Sequence, residues 1–216
     1  MMRFFTAQGK NTSDNRDVIT HFSHFDVTVF IVLDGATNCP SGGDFSRALA
    51  LEIQKRFEVL PQFDLSDKSV KALLIRLLKE TQISLQKTYI LDFASMLLVV
   101  RHQADLFVAH SGDCCLGFIQ KNNHISWVTP LHTAANIENK MMDEIVSDPL
   151  RHILTRSFMA KKMIIPEFGY FQVPEHASII MATDGFWGVS KDIQRELLAS
   201  PKEIDVNDDA SYIISL

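Results

Sequence analysis

Two apolar, largely β-branched runs in this chain end on the same pair: residues 30–35 read FIVLDG and residues 179–185 read IIMATDG. Such runs read as buried strands. A carboxylate at the end of a buried strand is costly unless a cation resides beside it. Asp-Gly is also an ordinary turn pair, so either one alone says little. The weight lies in the order in which these and the neighbouring acidic segments follow one another along the chain. Hard oxygen donors gathered in one place would select Mg²⁺ or Mn²⁺ over zinc.

The elements around these pairs follow from periodicity. Residues 27–33 read as a strand paired with 18–22 across SHFD. Phe45, Leu49, Ile53 and Phe57 recur every fourth residue, which predicts a helix ending near Pro61. A second helix is expected after Ser66 as N-cap, with Val70, Leu73, Leu74, Leu77 and Leu78 on one face. SMLLVV, DLFVAH, CLGFI and ISWVT then follow at close spacing and read as an antiparallel meander. Ile137, Met141 and Ile145 mark a short helix near 137–147, and 149–174 carries no clear period and reads as a lid or extra loop. A strand over 178–183, a capped helix over 190–198 with Ile193, Leu197 and Leu198 inward, and a last strand over 211–216 complete the chain.

With 216 residues and 46% hydrophobic content, one well-filled core and one domain, 1–216, are expected. The net charge of −5, without a long run of like charge, argues against nucleic acid or anionic lipid as a partner. No apolar run approaches the roughly 20 residues that span a bilayer. Cys39, Cys114 and Cys115 have no disulfide or zinc spacing, and a cytoplasmic setting is expected.

The succession SDNRD, LDGA, two helices, FASMLLVV, LFVAHSGDC, WVTPLH, ILTRSF, IIMATDGFWGV and DDASYIISL resembles the metal-dependent Ser/Thr phosphatases of the protein phosphatase 2C family, especially their compact bacterial members. The match runs through nearly the whole chain in the family's order. The resemblance implies an α+β fold, a four-layer α-β-β-α sandwich of two antiparallel sheets flanked by helix pairs. It implies hydrolysis of phosphoserine and phosphothreonine in proteins by a hydroxide held between two Mn²⁺ or Mg²⁺ ions. Asp34, Asp184 and Asp208 match the direct metal ligands and catalytic carboxylates, with Asp34 bridging and the Gly35 carbonyl completing the second site. Asp17 matches the early acid that holds metal-bound water, and Asp113 the aspartate of a third metal site. A phosphoprotein substrate and a cognate Ser/Thr kinase are the implied partners.

Several positions depart from the family. Thr12 stands where an arginine grips phosphate, leaving Lys10 and Arg16 as candidate substitutes. Ala36 replaces the histidine after the bridging Asp-Gly of the eukaryotic branch, and Arg16 replaces a Glu or Gln. Gly188 replaces the acid expected four residues after Asp184, and Leu131 the aspartate before His132. His132 therefore reads as structural, Phe186 and Trp187 as packing, and Arg156 as a structural or substrate contact. Two readings follow: an active phosphatase, favoured by Asp34, Asp184 and Asp208, and a pseudophosphatase serving as a binding or regulatory module, favoured by the missing arginine.

Overall fold

The computed structural model of the protein describes residues 2–121, 123–137, 142–199 and 206–216. Two antiparallel sheets carry the fold. One has the order β1-β11-β10-β6-β7 and the other β2-β3-β4-β5-β9, with the two-residue β8 at the end of β4. The strands are β1 Met2–Ala7, β2 Asp17–His24, β3 Val27–Gly35, β4 Phe93–His102, β5 Asp105–Ser111, β6 Cys115–Ile119, β7 Ile125–Trp127, β8 Phe158–Met159, β9 Glu167–Gln172, β10 Ser178–Ala182 and β11 Ala210–Ser215. The helices are α1 Gly42–Glu58, α2 Asp67–Gln86, α3 Met142–Val146, α4 Asp184–Trp187 and α5 Lys191–Ala199.

The alternation of side chains along β3 explains the layering. Val29, Ile31 and Leu33 face α1 and α2, where they meet Phe45, Leu49, Ile53, Phe57, Val70, Leu74 and Leu78. Phe30 and Val32 face the other way, onto Ile179, Met181, Ile213 and Leu116 of the second sheet. Each fully buried aliphatic or aromatic side chain contributes roughly 1.5–3 kcal/mol. The α1 face with four such residues therefore anchors the helix without a side-chain cap at Ser41. On the outside of the second sheet, Ile180, Tyr212 and Ile214 pack under Phe186, Leu197 and Leu198. That outer layer is built from α5 and the one-turn α4, and is smaller than the α1/α2 pair. Among the described residues no helix is long and apolar enough to cross a membrane.

Four sequence expectations change. The meander is not one sheet: β4 and β5 pair with each other, whereas β6 and β7 join the other sheet. The chain crosses between sheets at Gly112, whose φ of 116° is open to glycine and strained for other residues. Ser66 sits at the N-cap of α2, but its hydroxyl bonds to Asp64 and Ser69 instead of the helix N–H groups. The segment 149–174 is no plain loop, because β9 lies there and extends the sheet beyond β5. The helix expected over 137–147 is α3, shorter than expected, with Met141 outside the described residues.

Candidate active site

The acidic residues meet at one end of the two sheets. Asp17 opens β2 and stands opposite Asp34 of β3 in the antiparallel register. The Gly35 N–H donates to the Arg16 carbonyl at 3.2 Å, locking the Asp-Gly corner to that strand. Asp34 in turn stands opposite Ser95 of β4. The Ser95 hydroxyl donates to Asp113 Oδ1 at 2.5 Å, which brings the sheet-crossing segment to the same end. From the second sheet, Asp184 follows β10 as the first residue of α4, and Asp208 lies just before β11. Asp184 and Asp208 line a cleft of about 270 Å³ together with Arg151, Gly188 and Asn207. A larger cavity of about 700 Å³ between β7 and α5 contains none of these aspartates.

Thr183 ties the two sheets at the site. Its hydroxyl donates to Asp17 Oδ2 at 2.7 Å and accepts from the Ser211 N–H at 3.0 Å. The other carboxylate oxygen, Asp17 Oδ1, is buried and has no hydrogen-bond partner among the described residues. Burial holds Asp17, Asp34 and Asp184 well above the usual carboxylate range, and the neighbouring aspartates add to the shift. Asp113 is raised for the same first reason, against the Ser95 bond. A buried acceptor without a donor, inside a group of carboxylates that hinder one another's ionisation, fits a hard divalent cation. Asp208 is exposed at the rim of the cleft, and Asp34 is partly buried.

Asp209, which the sequence reading passed over beside Asp208, is a hub. It is 5% exposed and accepts from the Gly9 N–H and the Thr12 hydroxyl through Oδ1, at 2.9 and 2.6 Å, and from the Arg16 N–H through Oδ2 at 2.8 Å. It thereby fixes the loop that leads into Asp17. Thr12, at the position of the missing arginine, spends its hydroxyl on this contact. Arg16 directs Nε to Asp14 at 3.0 Å and Nη1 to the Ala36 carbonyl at 3.3 Å. Lys10 is exposed, with its N–H bonded to the Val206 carbonyl at 3.0 Å. Thr183, Ser95 and Asp209 are the polar supports missed from sequence. They stand inside IIMATDGFWGV, FASMLLVV and DDASYIISL respectively, where the order of the motifs was the available signal.

The remaining histidine motif resolves into a separate cluster. His132 Nδ1 accepts from the Gly112 N–H at 3.1 Å, so Nε2 carries the proton that it shares with Glu167 at 3.0 Å. Arg156 faces the same glutamate at 3.9 Å. His110 Nε2, His132 Nε2 and Glu167 lie close enough to suggest a metal site. The two rings are stacked, however, with centroids 4.7 Å apart and planes 7° from parallel. A ring lone pair lies in its own plane, so the two nitrogens do not converge on one ion. Phe186 and Trp187 are fully buried, as packing requires.

Burial, followed by the neighbouring His132, lowers His110 to about 4. An imidazole depressed below its usual 6.5 binds fewer protons folded than unfolded, so its contribution to stability is lost as pH falls from 6.5 toward 4. The wild-type protein is expected to lose up to about 1.4 kcal/mol per pH unit in that window through this group. His110→Asn should flatten the dependence, measured as urea midpoints between pH 4.5 and 7.5. An unchanged slope would contradict the assignment.

No protein-family model and no curated protein matches the sequence. Solved structures do. The Staphylococcus aureus serine/threonine phosphatase Stp1 is 18% identical with a TM-score of 0.82, covering 99% of this chain and 93% of that one. The S. agalactiae serine/threonine phosphatase is 17% identical with a TM-score of 0.79, covering 99% and 98%. The PPM Ser-Thr phosphatase MsPP of Mycobacterium smegmatis is 18% identical with a TM-score of 0.74, covering 99% and 97%. With identities this low the likeness is one of architecture, and the chain has the protein phosphatase 2C fold of these bacterial serine/threonine phosphatases.

Proposed function

We propose that the chain hydrolyses phosphoserine or phosphothreonine in protein substrates, as one catalytic domain over 1–216 with two Mn²⁺ or Mg²⁺ ions per site. The observation that carries this reading is the unpartnered Asp17 Oδ1, buried among carboxylates of both sheets. Asp34, Asp184 and Asp208 would hold the ions, with the Gly35 carbonyl as a further oxygen donor. Asp17 would hold metal-bound water at Oδ1, its other oxygen being fixed by the Thr183 hydroxyl. The chemistry such ions supply when bound is positive charge for the phosphoryl oxygens and acidification of a water to hydroxide.

This chain's own residues hold that constellation rigid. Ser95 orients Asp113, Thr183 orients Asp17, and Asp209 fixes the loop before Asp17. Lys10 and Arg16 are assigned to the substrate phosphate, Arg16 with the better support, since its guanidinium lies at the Ala36 carbonyl next to the Asp-Gly corner. The free, buried cysteines are in keeping with a reducing, cytoplasmic setting, and the proposed reaction calls for a Ser/Thr kinase to supply the phosphoprotein.

Phosphate release from a phosphothreonine peptide is expected to require added Mn²⁺ or Mg²⁺, to fall by ~10³-fold or more in excess EDTA, and to return when Mn²⁺ is restored in excess. Activity undiminished by EDTA would overturn the reading. A second reading, a binding module without turnover, is favoured by Thr12, whose hydroxyl is committed to Asp209 where the resembled family has its arginine. Mn²⁺ binding without phosphate release above background would select it.

A further inference from the structure

The acids of the cleft differ in what faces them. Asp34 is influenced by burial and then by other aspartates, and Asp17 by burial, then by the Thr183 and Ser211 hydrogen bonds that favour its ionised form, and then by aspartates. Asp113 and Asp184 also feel Arg151, whose charge favours their ionised forms. Arg151 enters from the 3₁₀ turn Pro149–His152 and shares the cleft with Asp184 and Asp208. Its guanidinium carbon lies 5.7 Å from the ring centroid of Trp187, a cation–π contact. The Trp187 indole N–H donates to the Asp113 carbonyl at 2.8 Å, so one buried ring supports both the cation and the backbone of an acid.

Arg151 Nη1 is buried and has no hydrogen-bond partner among the described residues. The same nitrogen lies 2.4 Å from where a β-carbon on residue 188 would stand. Gly188 has an ordinary φ of −80°, so the glycine serves clearance and not backbone conformation. A side chain at 188, an acid included, would have to displace the guanidinium, and its β-carbon would also press on the Asp184 carbonyl oxygen, 2.6 Å away. Glycine at 188 and arginine at 151 are therefore two halves of one arrangement.

We propose that the Arg151 guanidinium takes the place of a third metal ion beside Asp113 and Asp184, as a fixed cation, so that the cleft accepts two ions and Asp113 ligates neither. The proposal rests on the two-ion reading above. A guanidinium stays charged throughout the working pH range and cannot be removed by a chelator. It permanently offsets one of the two negative charges of Asp113 and Asp184, so that Asp17, Asp34, Asp184 and Asp208 still draw two ions while a third is not needed.

The test is the number of Mn²⁺ ions bound per chain, read by native mass spectrometry, with thermal unfolding in EDTA to show that each variant is folded. Wild type and Arg151→Lys, which keeps the charge, are expected to hold two ions, and Arg151→Ala/Gly188→Asp three. Asp113→Asn in the otherwise unaltered chain should keep two ions with affinity changed less than ~3-fold. Three ions on wild type, no gain in the double variant, or loss of an ion in Asp113→Asn would overturn the proposal. A wild type that binds no ion at all would overturn the two-ion reading instead. The place of Arg151 would then be decided by whether the double variant gains an ion over wild type.

Discussion

Asp34→Asn is expected to lose at least ~10³-fold in kcat/KM, about 4 kcal/mol of transition-state stabilisation, while the metal-free protein becomes more stable. Both effects come from one position. Asp34 is raised first by burial and then by Asp17, Asp184, Asp113 and Asp208, so it is the carboxylate that every other acid of the cleft disfavours. A neutral amide of the same shape removes that repulsion from the folded state, and each kcal/mol recovered appears as about 2–4 °C in Tm for a chain of this size.

The pH dependence gives the sign. A carboxylate whose folded value lies above its unfolded one holds protons that the unfolded chain has released, so the metal-free wild type loses stability as pH rises out of the ordinary carboxylate range. Asp34→Asn should weaken that loss. In saturating Mn²⁺ the order should reverse, with wild type gaining more stability than the variant because it binds the ions more tightly. Near wild-type turnover in Asp34→Asn, or a lower Tm in EDTA, would place the centre of the site elsewhere.

What could be read from the chain beforehand was what local pattern determines. The 3.6-residue period of Phe45, Leu49, Ile53 and Phe57 defined α1, and all four are fully buried. The acids on the Asp-Gly corners were legible because each follows a continuous apolar run. β1 was not, because MRFFTA is a short edge strand whose partner, β11, lies some two hundred residues away. β9 failed for a related reason: an edge strand with partly exposed side chains lacks the clean alternation that a half-buried strand shows. Arg151 lay in a stretch without period, and its meaning depends on the absence of a side chain at Gly188, which only the fold brings beside it.

Asp208 and Asp209 show the same limit at the scale of one residue. Adjacent aspartates are equivalent in sequence, yet one is exposed at the cleft and the other is buried with its back to it. Asp209→Ala is expected to destabilise the protein by ~3–5 kcal/mol, because it removes the acceptor of the Gly9 N–H, the Thr12 hydroxyl and the Arg16 N–H together. Asp209→Asn should cost only ~1–2 kcal/mol, since its amide oxygen can still accept from Gly9 and Thr12 while its NH₂ is left facing the Arg16 donor. Arg16 immediately precedes Asp17, so releasing it loosens the Asp17 carboxylate, and kcat in the alanine variant should fall by ~10²-fold. The stability loss must be of the same size in EDTA and in Mn²⁺ if Asp209 is a structural hub. Were Asp209 a metal ligand instead, the loss would shrink in EDTA and Mn²⁺ affinity would collapse, and urea unfolding under the two conditions, beside a Mn²⁺ titration, separates those outcomes.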